Sequence, residues 1–220
     1  MAVRTVKRFR SGAGMARFAA GLLKKALDER PGRISVALPG GRTPLRLFQA
    51  LAAANLPWER VAFFLSDERR VPASSSFSNF GSANKALFSK IAVPAENLHP
   101  AVSAKSLEKA IFKETAGTGR LDLVFLGLGR DGHTASLFPA SPAWGSRRLA
   151  LAVKAPPGIK PPGRLTLTPA AIEKARVAVL LAAGPDKKEV FTLAAGSAAS
   201  VPAGRLRPRG RFYLLFAEKE

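Results

Sequence analysis

The segment Asp131-Gly132-His133 carries the residue types best suited to acid–base chemistry in this chain of 220 residues. His133 is one of two histidines, and it follows the most apolar stretch of the sequence in a glycine-rich turn. Imidazole titrates near neutral pH, so His133 could accept a proton from water there. A nearby carboxylate, Asp131 or Asp67, could fix its tautomer. The other histidine, His99, fits a purely structural hydrogen bond better, and we assign it no role.

A second segment with chemical potential is Gly40-Gly41-Arg42-Thr43, which lies between an apolar run and a predicted helix start. Glycines let backbone amides approach a ligand closely, and the amino end of a helix favours an anion. These four residues therefore predict a phosphate-binding loop. The simpler interpretation is a tight turn followed by a helix cap. The Gly-Lys-Ser/Thr ending of a P-loop is absent.

Asp67-Glu68-Arg69 is a third charged segment, and on its own it reads as a solvated turn. The sequence contains no Gly-x-Ser-x-Gly nucleophile motif, no cysteine and no histidine-rich metal spacing. Water is therefore the simpler nucleophile, and we assign neither a metal nor a cofactor.

The elements that must position these segments alternate between strand-length apolar runs and stretches of helical period. This alternation predicts an α/β fold, with residues 1–220 forming one domain around a mainly parallel, doubly wound sheet. Thr43-Pro44 and Thr168-Pro169 each open a helix, with threonine as the expected cap. We predict strands at 34–38, 61–65, 121–128, 177–181 and 212–216, weaker strands at 149–153 and 165–167, and further helices at 11–30, 79–90, 103–115 and 185–194.

Ligands of open α/β sheets bind beyond the carboxyl ends of the strands. Polar and glycine residues follow four of the predicted strands, at 39–43, 66–69, 129–134 and 182–187. We therefore expect these segments to meet around one cleft.

The charge balance favours an anionic ligand, because 35 lysines and arginines stand against 15 acidic residues, for a net charge of +20. The basic residues are dispersed along the sequence, and stacking residues are scarce, with one tyrosine and two tryptophans. This pattern favours a small anionic substrate over specific nucleic acid binding. The charged first ten residues resemble no secretory signal and no apolar run reaches membrane-spanning length, which predicts a cytoplasmic protein without a membrane partner.

The segment 126–139, Leu-Gly-Leu-Gly-Arg-Asp-Gly-His-Thr-Ala-Ser-Leu-Phe-Pro, resembles the signature of the 6-phosphogluconolactonase family. Five further segments agree in order, so the resemblance spans residues 39 to 187. They are Gly40–Pro44, Ser66–Arg69, Ser78-Asn79, Arg164–Thr168, and Gly184 with Lys187. The loop at 73–77 departs from the family in lacking an acidic residue before Ser78-Asn79.

The resemblance implies hydrolysis of 6-phosphoglucono-1,5-lactone, a step of the oxidative pentose phosphate pathway, without a cofactor. It implies that His133 activates water, that Asp67 or Asp131 orients it, and that loop amides of Gly40-Gly41 or Gly129 bind the oxyanion. The residues expected to hold the substrate phosphate are Gly40, Gly41, Arg42, Thr43, Arg69, Arg164 and Lys187.

The sequence leaves two alternative functions open. Glucosamine-6-phosphate deaminases share the Asp-Gly-His turn but continue it with a catalytic glutamate, whereas residues 136–139 here contain no acid. A nucleic-acid-binding protein on the same fold is the alternative from another class.

Overall fold

A computed structural model describes residues 3–196 and 199–220. The strands in these residues are β1 (Arg4–Ser11), β2 (Ile34–Leu38), β3 (Val61–Leu65), β4 (Asp67–Arg69), β5 (Leu123–Gly127), β6 (Ala150–Lys154), β7 (Gly163–Leu167), β8 (Val177–Ala183) and β9 (Arg211–Lys219). The α-helices are α1 (Gly12–Glu29), α2 (Thr43–Ala52), α3 (Asn79–Ala86), α4 (Ala104–Glu114), α5 (Pro169–Lys174) and α6 (Lys188–Ala195). Short 3-10 helices lie at Trp58–Arg60, Phe88–Lys90, Ala95–Asn97, Pro142–Gly145, Pro185–Lys187 and Pro202–Arg205.

The central sheet contains six parallel strands in the order β1-β9-β8-β5-β2-β3. Successive side chains of a strand point to opposite faces, and both faces of this sheet are covered. On β5, Phe125 packs with α1 and α2, whereas its neighbours Val124 and Leu126 pack on the face of α4, α5 and α6. The predicted mainly parallel, doubly wound α/β fold is confirmed.

A second sheet contains three antiparallel strands in the order β4-β7-β6. The two weaker strands predicted at 149–153 and 165–167 form part of this sheet. Its buried side chains Leu165 and Leu167 join the core on the face of α4 to α6. The segment Asp67–Arg69, read from sequence as a solvated turn, instead forms β4 and pairs with β7.

The helix starts agree with the sequence in one case and differ in another. Thr168 caps α5, because its hydroxyl accepts a hydrogen bond from the amide of Ala171. Thr43 is already the first residue of α2, and Arg42 occupies the cap position without a side-chain bond. The expected threonine cap at Thr43 is therefore wrong, and the first amides of α2 lack a side-chain acceptor.

The chain order places a topological switch between β2 and β5. From β2 the chain moves to β3 at one edge of the sheet, then returns to β5 on the other side of β2. Ligand crevices of open α/β sheets form at such a point, outside the carboxyl ends of the two strands. Within the described residues, no helix combines the length and the apolar character needed to cross a membrane.

Candidate active site

A cavity of about 220 Å³ opens at the carboxyl ends of β2 and β5, at the switch point. Most of the residues singled out by sequence reasoning line it, although they come from segments up to 147 positions apart, between Gly40 and Lys187. The predicted residues in its wall are Gly40, Gly41, Arg42, Thr43, Asp67, Arg69, His133 and Lys187. Asp131 lies behind His133, and Arg164 lies outside the wall.

Asp131 and His133 form the central pair of the site. The Nδ1 atom of His133 lies 2.5 Å from Oδ1 of Asp131, and the same oxygen accepts the backbone N–H of His133 at 3.2 Å. The hydrogen bond from His133 lowers the pKa of Asp131, against the opposing effect of burial. A charged Asp131 favours the proton on Nδ1, which leaves the Nε2 lone pair to accept a proton.

The backbone around His133 fixes the position of the imidazole. The amide of Gly129 donates to the carbonyl of His133 at 2.7 Å and closes the turn. A Cβ atom at Gly129 would lie 2.2 Å from Nδ1 of His133, so only glycine admits the ring there. On the other side the ring packs against Phe138, with centroids 4.7 Å apart. Gly129 thus leaves room for the imidazole, and its amide is already hydrogen-bonded to the carbonyl of His133.

Asp67 lines the cavity but bonds to other partners than His133. Its Oδ2 accepts from Ser136 Oγ at 2.7 Å, and its backbone carbonyl accepts from Asn79 Nδ2 at 2.9 Å. Of the two carboxylates proposed from sequence as partners of His133, Asp131 is the one bonded to the imidazole. Asp67 instead joins the His133 loop to the start of α3.

Glu68 anchors this wall of the site from beneath. Its side chain is 5% exposed and accepts the amides of Arg69, Asn79 and Phe80, each at 2.7 Å. Ser78 Oγ donates to it as well, at 3.1 Å. A carboxylate at the amino end of α3 complements the helix dipole. The charges of Asp67 and Arg69 are thus held on either side of a buried structural residue.

The cations of the site differ in their surroundings. Arg69 donates to the carbonyl of Phe77 at 2.7 Å and remains in the cavity wall. Burial lowers the pKa of Lys187, opposed by Asp186 and assisted by Arg130. A lysine in the wall whose ammonium is penalised by burial is suited to an anionic ligand, because a nearby negative charge favours the protonated form.

Arg164 lies on β7 directly opposite Arg69 of β4. It is 4% exposed, and its pKa is lowered by burial and by the charge of Arg69, against Asp67 and Glu68. Its Nε has no hydrogen-bond partner in the described residues. Arg164 is therefore a direct neighbour of Arg69 across the two strands, but it does not line the cavity.

Some residues of the wall were not assigned by sequence reasoning. Asn79 is the clearest, since a Cβ atom at Gly40 would lie 2.0 Å from its Oδ1, so the Gly40 loop and the start of α3 fit against each other. Its signal was present in the matched Ser78-Asn79 pair. The others are Pro39, Pro44, Gly127, Leu128, Thr134, Ala135 and Glu220. Among residues 3–196 and 199–220 there is no group of three or more potential metal-ligating side chains.

The fold and the site together define a class of protein: an α/β protein with a histidine–carboxylate pair beside a cation-lined cavity at the switch point of the sheet. The family of glucosamine-6-phosphate isomerases/6-phosphogluconolactonases matches residues 11–214, and the chain belongs to this family. The family predicted from the sequence is confirmed.

Relatives and solved structures agree with this membership. The 6-phosphogluconolactonase of Thermotoga maritima is 38% identical over 169 residues, 75% of this chain and 76% of that protein. The 6-phosphogluconolactonase of Synechocystis is 36% identical over 215 residues, 90% of this chain and 87% of that protein. The crystal structure of the Thermotoga maritima 6-phosphogluconolactonase superposes with a TM-score of 0.84 and 29% identity, covering 98% of this chain and all of that one. A monomeric glucosamine-6-phosphate deaminase shares the fold, with a TM-score of 0.79 and 19% identity.

Proposed function

We propose that this chain hydrolyses 6-phosphoglucono-1,5-lactone to 6-phosphogluconate in the oxidative pentose phosphate pathway. The relatives that carry the name 6-phosphogluconolactonase confirm the enzyme class predicted from the sequence. The observation that carries the reaction is His133 in the wall of a cation-lined cavity, bonded from behind to Asp131. A lactone is an activated ester, so water with a general base suffices for its opening.

In the proposed mechanism, His133 Nε2 removes a proton from water as the oxygen attacks the lactone carbonyl. The carboxylate of Asp131 stabilises the resulting imidazolium through Nδ1. When the tetrahedral intermediate collapses, the bond from the carbonyl carbon to the ring oxygen breaks. His133 then returns the proton to that oxygen, which leaves a hydroxyl and a carboxylic acid that ionises.

The oxyanion needs donors that are not already engaged. Because the Gly129 amide donates to the carbonyl of His133, it is not available as the oxyanion donor considered from sequence. The amides of Gly40 and Gly41 are the remaining candidates, and Gly41 has a positive φ of 103° that a side chain rarely adopts.

For the phosphate, we propose Arg69 and Lys187 together with the amino end of α2. The absence of a side-chain cap at Arg42 leaves the amide of Thr43 for an anion, since Pro44 has no N–H and the amide of Leu45 donates to the carbonyl of Arg42. Arg164, paired with Arg69 across the two strands, adds positive charge beside it. In this arrangement the guanidinium of Arg69 and the ammonium of Lys187 contact the phosphate from the cavity wall.

The test compares two substrates at the same enzyme concentration. We expect hydrolysis of 6-phosphoglucono-1,5-lactone well above the spontaneous rate, and no release of ammonia from glucosamine-6-phosphate. Ammonia release without lactone hydrolysis would replace this proposal with the deaminase. The deaminase is disfavoured because Ser136, which follows the histidine turn, bonds to Asp67 and no acid occupies residues 136–139.

Residues 1–220 act as one domain, supported by the pairing of β1 with β9. The location is cytoplasmic, for which the lack of cysteine is suitable. The partner is the small sugar-phosphate substrate, with no cofactor, no membrane and no sequence-specific nucleic acid.

A further inference from the structure

An arginine lies at the amino end of each strand of the six-stranded sheet, or within three residues before it. All six strands are parallel, so these side chains start from one edge, with neighbouring strands about 4.8 Å apart. Residues that are dispersed along the sequence thus become neighbours. This set, called the arginine row below, comprises Arg4, Arg211, Arg176, Arg120, Arg33 and Arg60, in the order β1-β9-β8-β5-β2-β3.

The arginine row lies at the opposite edge of the sheet from the candidate active site. The cavity opens at the carboxyl ends of β2 and β5, each five residues long. At about 3.3 Å per residue, these strands separate the two edges by roughly 16 Å. The lactone site therefore does not account for the charge gathered here.

A groove of about 410 Å³ lies within the arginine row, at the amino ends of β8 and β9. Four arginines line this groove, whereas its acidic residue is Glu29, which lies 3.5 Å from Lys25. The four arginines are Arg30, Arg176, Arg209 and Arg211.

The positive charge of this edge is only partly neutralised. Asp122 is shared between two guanidinium groups, since its Oδ1 lies 3.1 Å from Nε of both Arg30 and Arg176. Arg33 lies 3.6 Å from the buried carboxylate of Glu114, whereas Arg60 and Arg120 bond to the carbonyls of Gly32 and Lys174. A carbonyl orients a guanidinium but leaves its formal charge in place. Arg209 and Arg211 are exposed.

We propose that the arginine row and its groove bind the phosphodiester backbone of a nucleic acid without reading its sequence. Guanidinium groups match phosphate geometry, and a row across six strands extends over about 24 Å, too far for a small anion to cover. No aromatic side chain lines the groove among the described residues, so base stacking is not part of the contact. The one large exposed apolar residue in its wall is Val3, which is too little for insertion into a membrane.

The test uses two triple variants with the same loss of charge. R176Q/R209Q/R211Q removes three arginines of the groove, and R10Q/R17Q/R147Q removes three exposed arginines elsewhere. The probe is a dye-labelled single-stranded DNA of mixed sequence, about 20 nucleotides long, titrated by fluorescence anisotropy over a range of salt concentrations. Each lost phosphate contact lowers the slope of log K against log salt by about 0.7.

For the groove variant we expect a slope smaller by about 2 and an affinity about 100-fold weaker at 0.1 M salt. The control variant should bind within a few-fold of wild type. R209Q/R211Q, which leaves Arg176 on Asp122, should lose about 20-fold if the triple variant fails to fold. Turnover of the lactone at saturation should be the same in all variants, because the two sites lie at opposite edges.

Three outcomes would overturn the proposal. Equal losses in the groove and control variants would mean that bulk charge alone attracts the DNA. No binding by the wild-type protein at 0.1 M salt would remove the site. Binding to phosphatidylserine vesicles that depends on these arginines, without binding to the oligonucleotide, would assign the surface to a membrane instead.

Discussion

The imidazole of His133 is held on one side by Asp131, 2.5 Å from Nδ1, and on the other by Phe138, whose ring centroid lies 4.7 Å away. Both contacts come from residues within five positions of the histidine. The turn that carries the proposed base is therefore pre-organised before any substrate binds. Substitutions within this turn can test its role in the reaction.

The first prediction concerns the charge behind the base. In Asp131→Asn the side chain no longer carries the negative charge that stabilises the imidazolium, so we expect turnover to fall by about 100- to 10,000-fold with little change in KM. His133→Ala should lose a similar factor. Steady-state kinetics corrected for spontaneous hydrolysis measure both, with circular dichroism to verify folding. Turnover near wild type in a folded Asp131→Asn protein would remove Asp131 from the mechanism.

The second prediction concerns the space beside the imidazole. In Gly129→Ala, the new methyl group would lie 2.2 Å from His133 Nδ1 and 2.6 Å from Asp131 Oδ1, so the pair must separate. We expect turnover to fall at least tenfold while the protein stays folded. The matched control is Gly21→Ala in α1, where no atom lies within 4 Å and alanine should raise the stability of the helix by about 1 kcal/mol. Full activity in the Gly129→Ala protein would contradict the proposed geometry.

The third prediction concerns phosphate binding by Lys187. A lysine is charged below its pKa, and burial lowers the pKa of Lys187. Affinity for the product 6-phosphogluconate should therefore fall as the pH rises through that lowered pKa, before the usual lysine value of about 10.5. Lys187→Ala should bind more weakly at neutral pH and lose this alkaline dependence, as measured by calorimetry. An equal loss of affinity for unphosphorylated gluconate would separate Lys187 from the phosphate.

The fourth prediction concerns His99, which stacks on Phe64 at 4.7 Å and lies 3.5 Å from Glu114. Burial lowers the pKa of His99, although Glu114 opposes the shift. The unfolded chain, with a histidine pKa of about 6.5, then takes up the proton more readily than the folded one. The contribution of neutral His99 to stability is fully present above about pH 6.5 and is lost as the pH falls from there through the folded-state pKa.

The measurement for this prediction is denaturant unfolding between pH 7.5 and 5. We expect the wild-type protein to lose stability over this range, and His99→Gln to show a smaller decrease because the titrating group is gone. A decrease of the same size in both proteins would show that His99 does not control this pH dependence.

The sequence by itself determined the elements whose signal is local. Continuous apolar runs of strand length predicted the buried strands such as β5 and β8, and the period of three to four residues predicted α1 and α4, because the burial of each element is encoded in its own residues. The glycine-rich turn around His133 and the loop at Gly40 could be placed at strand ends for the same reason. Thr168 could also be predicted as the cap of α5, because a cap bonds to an amide only three residues along the chain.

Only the tertiary structure decided what depends on contacts between distant segments. β1 lacks an alternating apolar face because it lies at the sheet edge, where pairing with β9 supplies its backbone hydrogen bonds. The choice of Asp131 over Asp67 as the partner of His133 depended on Ser136 and Asn79 holding Asp67 elsewhere. The arginine row has no signature in the sequence, since its members become neighbours only when six parallel strands bring their amino ends to one edge.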